Sequence, residues 1–531
     1  MRAAPLIVAS LVLLLPKAAT AEHLGDVPKF SVIDVTLRGP ELSPADAPAR
    51  DVELVLTFRH ESGGLQTRVH GFWDGDGRGG NRGNVFKARF CPTRHGRWEI
   101  TGTHSNRPEL NGQRRGDTLT CTDSKHPGLW IADGRWYRRS DGSHPFIVGN
   151  THYSFLSRRN DKGAVKTDPV EDVRKNREHF TKLRFALTAD RYPDPDLKPF
   201  LDDEGRQSDD GRFSYRPNPQ WFNQRADPVI AEGFRVDLAC DLILCGPDTR
   251  ESRSTLVGEA KPWLRYVAAR YGSYPNVWFC LANEWDIKEP KYTPADMRSA
   301  GEALRNFLPH RSPVSTHAAP EGWNAELTGD WHDHTIIQHK LKRLPQAADS
   351  AARNFAPGGN KPIVNDENAY QGKGDGFSEA DTVEGCLGTF LGGAYASTGE
   401  KYGEKLGQYF WGGYDPAAHS AAPRLGYLRD YVDRSVRFWK MRPLPGGQSP
   451  MHVVGKDARV LGATGAEYVV GTNRAITGVR VNLPPGTWRV MQVDLMSLST
   501  KELAQDATGA FAFSASDSRA VLTHFVRVDV R

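Results

Sequence analysis

From about residue 126 to 445, short apolar runs alternate with longer stretches of helical spacing. The runs are PFIVGNT (145–151), LRFALTA (183–189), VDLACDLILCG (236–246), NVWFCLANE (276–284), PVSTH (313–317), TIIQH (335–339), PIVNDE (362–367) and GQYFWGG (407–413). Helical spacing falls at 169–182, 258–272, 294–308, 380–397 and 426–441. Parallel strands need crossovers, and eight strands with helices between them predict a (β/α)8 barrel. No other feature narrows the possible folds as far.

A chain of 531 residues is too long for one core, so further domains are expected beside the barrel. Residues 22–125 alternate apolar and polar over short runs such as FSVIDVTLRG and DVELVLTFRH, punctuated by turn residues. That is the pattern of an antiparallel β-sandwich. Residues 446–531 return to strand rhythm around LPPGTW, a turn signal, and predict a second, smaller β-sandwich. The expected fold class is therefore α/β: a TIM barrel over 126–445 with a β-sandwich on either side.

The first 21 residues carry Arg2, an apolar run from Leu6 to Leu15, and the small-residue site Ala19-Thr20-Ala21. They read as a signal peptide, which makes the protein an exported one, periplasmic or extracellular. The apolar run is too short to span a bilayer, and no later run is apolar enough for a membrane helix. The formal net charge is +5, two of it from Arg2 and Lys17 in the leader. So balanced a surface gives no argument for nucleic acid or an anionic membrane as partner. No feature sets an oligomeric state. Of six cysteines, Cys91 and Cys121 lie in strand-like stretches where export permits a disulfide. Cys240, Cys245, Cys280 and Cys386 lie in apolar segments and read as buried thiols.

In a barrel of this kind chemistry sits at the C-terminal ends of the strands. The fourth run ends in Asn283-Glu284-Trp285-Asp286, and the seventh in Asp366-Glu367. Side chains alternate along a strand, so only one of Asp366 and Glu367 is expected to point fully inward. Two glutamates on strands four and seven are what retaining glycoside hydrolysis needs: one protonates the leaving oxygen and the other attacks the anomeric carbon, from about 5–5.5 Å apart.

LANEWD and PIVNDENAYQG resemble the acid/base and nucleophile strands of clan A glycoside hydrolases. The order GNTHYSF, LRFALT, CDLILCGPD, NEWD, STH, DEN-Y-G and YFWGGY resembles the apiosidase-like barrel group within them. GFWDGDG and FCPTRHGRWE resemble the immunoglobulin-like N-terminal domain that group commonly carries. The resemblance implies an oligo- or polysaccharide substrate of plant, algal or microbial origin and no cofactor. It implies Glu284 as acid/base, Glu367 as nucleophile, Asn283 on the neighbouring sugar hydroxyl, and Trp411 as the floor of the sugar site. His152, Asp241 and His317 fall where related barrels place binding groups. Arg184 is a candidate to orient the nucleophile, and Trp285 and Tyr370 are candidates to contact the sugar at the rim. Asp286 and Asp366 are nearby rivals to the two glutamates.

DWHDHTIIQH contains the pair His332 and His334, a pattern able to bind zinc. It precedes the sixth strand instead of ending the first, so no metal site is expected. DGDGRGGNRGN (74–84) resembles a calcium loop but lacks the closing glutamate, and reads as a hairpin connection.

Overall fold

The computed structural model describes residues 21–158, 167–188, 194, 196–245, 254–256, 260–287, 291–318, 329–355, 360–372, 374–400, 412–444, 452–454, 458–473, 478–514 and 518–529. The leader and Trp411, with the 407–411 part of the expected eighth strand, lie outside them.

Eight parallel strands form the barrel: β1 (Val148–Thr151), β2 (Lys182–Ala186), β3 (Ala239–Ile243), β4 (Val277–Asn283), β5 (Val314–His317), β6 (Thr335–Ile337), β7 (Ile363–Gln371) and β8 (Tyr395–Glu400). Their order is β5-β4-β3-β2-β1-β8-β7-β6. The ring is nearly closed; at the seam between β5 and β6 the Asp333 N–H donates to the Val314 carbonyl at 2.8 Å. Every residue of β4 is buried, because a parallel strand covered on both faces is apolar throughout. Around the ring stand α1 (Pro169–His179), α2 (Asp227–Arg235), α3 (Ala260–Tyr271), α4 (Pro294–Phe307), α5 (Leu344–Phe355), α6 (Glu379–Leu391) and α7 (Ala421–Ser435). Their starts are locally encoded. Asp168 caps α1 ahead of Pro169, and reciprocal Thr293/Asp296 and Ser378/Asp381 boxes start α4 and α6.

The eighth strand corrects the sequence reading. It is Tyr395–Glu400, which begins inside the stretch expected to be the end of a helix. Gly392 and Gly393 stop α6, and the strand that follows is small and polar because it faces crowded neighbours. A Cβ on Gly399 would lie 2.7 Å from the Tyr370 ring. Helices α2 and α5 were also missing from the expectation.

A two-stranded hairpin (Trp130–Asp133 and Trp136–Arg139) precedes β1 and plugs the N-terminal end of the barrel. Trp130, Trp136 and Tyr137 pack there against Trp278 and Tyr395, and the Tyr395 hydroxyl accepts from the Tyr137 N–H at 2.9 Å.

On the N-terminal side seven strands between His23 and Thr122 pair in the order first, seventh, sixth, third, fourth, fifth, second. Trp98, Phe58 and Phe90 centre their core. The loop 74–82 joins two antiparallel strands, as expected of a hairpin. Its Asp74 is fully buried against Lys87 at 2.6 Å and Arg270 of α3 at 3.0 Å. Arg89 and Arg270 both bind Asp227 of α2, at 2.6 and 2.8 Å. After α7 come a six-stranded and a three-stranded sheet, with Trp488, Tyr468 and Phe525 in their core. They join the barrel through Glu384 of α6, which takes Arg519 at 2.7 Å, and through Tyr431 of α7, whose hydroxyl meets His524 Nδ1 at 3.1 Å. All six cysteines are buried free thiols, Cys91 and Cys121 included. No helix of the described residues is long and apolar enough to cross a membrane.

Candidate active site

Two register breaks aim the site. Cys280 pairs with Ser315 but Asn283 with His317, which puts a bulge in β4 just before Glu284. Asn365 pairs with Ala396 but Ala369 with Thr398, so a larger bulge holds Asp366 and Glu367. Bulges bend a strand and redirect its side chains. Glu284 itself has φ 46°, in the left-handed region that non-glycine residues seldom occupy. Such local strain, about 1–3 kcal/mol, persists where the surroundings enforce it.

The β7 bulge corrects a second expectation. Both acidic neighbours face inward, at different depths. Asp366 lies in the lumen against Lys182, with the Ser397 hydroxyl donating to it at 2.7 Å. Burial opposes its charge, but Lys182 and then Arg184 hold it below the ordinary carboxylate range. Asp366 is thus a structural anion. Glu367 lies nearer the mouth, where it accepts from the Tyr153 hydroxyl and from Gln338 Nε2 at 2.9 Å.

The same Gln338 nitrogen donates to Glu284 Oε1 at 3.1 Å. With one atom bonded to both, the two carboxylate oxygens lie within about 6 Å of each other, the two bond lengths laid end to end. Cations gather at Glu367: Lys340 Nζ at 3.7 Å from Oε2 and Arg184 Nη1 at 4.0 Å from Oε1. Arg184 is fully buried on β2 and donates to Asn283 Oδ1 and, at 3.3 Å, to the Tyr153 hydroxyl. Tyr153 also reaches Asn283 Oδ1 at 3.1 Å. Burial, then the Glu367 carboxylate, raise the Tyr153 pKa well above the usual phenol value, so it remains a donor.

His317, at the end of β5, packs Nδ1 against Asn283 Oδ1 and against Arg184 Nη2 at 3.0 Å. Its Nε2 is buried and takes no hydrogen bond among the described residues. Burial, reinforced by Arg184, pushes His317 down to about 3, so the ring is neutral at any ordinary pH.

The structure therefore brings Glu284, Glu367, Asn283, Arg184 and His317 into one cluster. His152 follows β1 at the same level, its backbone N–H on the Arg184 carbonyl at 2.9 Å. Other expected contacts are placed differently. Asp241 is in mid-strand on β3, fully buried and paired with Lys182 at 2.8 Å, so it belongs to the lumen and not to the mouth. Trp285 is 3% exposed, in the same apolar cluster as Tyr292 and Met297, which withdraws its ring from a sugar. Tyr370 is fully buried with Tyr153, Ile243, Cys280 and Ile336, and packs the lumen. Tyr153, Gln338 and Lys340 were missed as site residues. The signal for two of them was their place just beyond a strand end, Tyr153 after β1 and Gln338 after β6.

His332 and His334 face elsewhere. The His334 Nδ1 meets the Tyr137 hydroxyl at 2.8 Å, beside Trp278 at the plugged end of the barrel. Among the described residues no three His, Cys, Asp or Glu side chains are grouped to hold a metal ion.

Burial also pushes His334 and His419 down to about 3, and His332 well below the ordinary imidazole value. Below the unfolded value of about 6.5, the unfolded chain binds protons that these native rings refuse. Stability then falls as pH drops from about 6.5 toward 3, by about 1.4 kcal/mol per unit for each ring. The urea midpoint at pH 5 is expected to lie clearly below that at pH 7. Equal midpoints would mean that the native rings are protonated.

A parallel eight-stranded barrel that gathers two glutamates at the C-terminal ends of its strands is the architecture of a glycoside hydrolase. The chain belongs to the apiosidase-like family of these enzymes: residues 117–406 match the family described as "Apiosidase-like, catalytic domain". Residues 26–104 match a domain of unknown function, DUF5060. Among solved structures, a candidate glycoside hydrolase from Bacteroides vulgatus is similar over 95% of this chain and 100% of its own, at 20% identity and a TM-score of 0.76. A glycoside hydrolase family 5 protein from the same organism is similar over 76% of this chain and 94% of its own, at 12% identity and a TM-score of 0.59. These likenesses speak for the fold. No curated protein matches the sequence.

Proposed function

We propose that the protein is an exported, retaining glycosidase that cleaves a plant, algal or microbial polysaccharide by double displacement. The observation that carries the mechanism is the single amide nitrogen bonded to both glutamates. It keeps the carboxylates closer than the roughly 6.5–9.5 Å that an inverting enzyme needs to admit water.

Glu367 is the nucleophile. Lys340 and Arg184 lie beside it, and the Tyr153 hydroxyl donates to one of its oxygens. Glu284 donates its proton to the glycosidic oxygen as Glu367 bonds to the anomeric carbon. It then takes a proton from the water that displaces Glu367. Asn283 and the buried His317 Nε2 hold sugar hydroxyls, with His152 beside them. The family resemblance assigns the floor of the sugar site to Trp411, which lies outside the described residues. The flanking sheet units are read as sandwiches, the first immunoglobulin-like, that brace the barrel.

The test is hydrolysis of a glycan panel by the protein without its leader, with the first-formed anomer followed by proton NMR. Release of product with retained configuration supports the reading. Binding of a glycan without cleavage would make the barrel a lectin-like one, and an inverted anomer would remove the covalent step. Activity is expected to survive exhaustive dialysis against EDTA, because His334 Nδ1 is engaged by the Tyr137 hydroxyl at the plugged end of the barrel. Loss on dialysis with recovery on adding zinc would make it a metal hydrolase.

A further inference from the structure

Gln338 follows β6 and is 6% exposed. Its Nε2 carries two hydrogens and has a glutamate on each side, at 3.1 and 2.9 Å. Its Oε1 is buried with no hydrogen bond among the described residues, so these contacts are what the side chain provides. We propose that Gln338 is a positioning residue that spaces the two glutamates, sets the pH range in which they work, and speeds the second displacement. The inference rests on the double-displacement reading of the site.

An amide donor favours the ionised form of each carboxylate it touches without adding a charge. A lysine in its place would hold the same spacing but depress the acid far more. Other groups bear on the pair from the surrounding elements. Tyr153 after β1, Arg184 on β2 and His317 on β5 lie on Glu367, as does Lys340 after β6, with Asp375 3.4 Å from Lys340. Asp366 lies beneath, 3.9 Å from Arg184. These groups are common to the wild type and the variants, so a shift between them reports the amide.

In the second displacement the water oxygen bonds to the anomeric carbon as the bond from that carbon to Glu367 breaks. The bonding pair leaves with Glu367 as a carboxylate, and the water proton goes to Glu284. Gln338 stabilises the charge that develops on the departing Glu367 carboxylate, and its bond to Glu284 keeps that group ionised and ready for the proton at some cost in basicity. In the first displacement the bond to Glu367 stabilises the nucleophile before it attacks and works against the step, so the net benefit lies in the second.

The experiment compares the full mature protein with Gln338→Met, near in volume but without the donor, and Gln338→Glu, which keeps the shape. Side-chain carboxyl titrations by carbon-13 NMR and pH profiles of kcat/KM are measured for each. In Gln338→Met both limbs of the profile are expected to move up by about one pH unit, the size of one charge-assisted hydrogen bond. On an activated aryl glycoside kcat is expected to fall about tenfold with KM falling alongside, and a burst of phenol to appear as the glycosyl-enzyme accumulates. Gln338→Glu is expected to move the carboxyl titrations further up, by like-charge repulsion. Variants with unchanged titrations and no burst would overturn the inference, even if they were less stable. If the wild type cleaves nothing, the glycosidase reading fails by itself. The NMR titrations then still decide whether the amide governs the two carboxyls.

Discussion

Glu367→Gln is expected to lower turnover by about 10⁴-fold or more on every substrate, because an amide cannot form the glycosyl ester on which both displacements depend. Glu284→Gln is expected to behave differently. A natural leaving sugar needs a proton, so its release should fall by about 10²–10⁴-fold. A nitrophenolate leaves without one, so the first displacement on an aryl glycoside should be nearly spared. The second, deprived of its base, should then become rate-limiting. An added azide ion, which needs no base, is expected to restore turnover in Glu284→Gln and yield a glycosyl azide. It should do nothing for Glu367→Gln. The same profile in both variants would show that the two roles are not divided in this way, and would direct attention to Asp286.

Lys182→Met is expected to be the most destabilising single change in the barrel. Lys182 is fully buried between Asp241 at 2.8 Å and Asp366. Taking it away leaves two carboxylates in the lumen, with Arg184 at 3.9 Å the cation left beside Asp366 among the described residues. Breaking a buried ion pair from one side costs about 3–5 kcal/mol. Protonation of the orphaned acids relieves that cost. The gap in urea midpoint between variant and wild type should therefore narrow as the pH is lowered from 7 to 5. A gap that stays constant over that range would mean that the carboxylates find other partners. Lys182→Met with Asp241→Leu should recover part of the loss, since the charge and its counter-charge leave together.

The barrel and the site differ in how far the residues reveal them. β4 and β7 were legible because each is a continuous apolar run that ends in acids, and the buried interior of a parallel barrel allows little else. β8 was not, because its AYASTGE is shaped by what it faces: Ser397 meets Asp366, and Gly399 leaves room for the Tyr370 ring. Depth was also hidden. Asp241 and Glu284 are both acids on apolar strands, but one is mid-strand beside Lys182 and the other is past the strand end. Strict alternation misjudged Asp366 and Glu367, since nothing local announces a bulge. Tyr153 and Gln338 are uncharged and ordinary in sequence. Their importance comes from convergence on Glu367 from the two sides of β7.

The ion network between the N-terminal strands and the barrel has a consequence for inheritance. Asp34, Asp74, Lys87 and Arg89 come from one side, Asp227 and Arg270 from the other, and the arginines and Asp74 are almost fully buried. Each half carries as many acids as bases here, but two of the close pairs, Asp74 with Arg270 and Asp227 with Arg89, form only across the junction. A barrel gene copied alone would leave Arg270 with one carboxylate fewer and Asp227 without Arg89. Separating the two halves therefore carries an electrostatic cost that a flexibly tethered module does not.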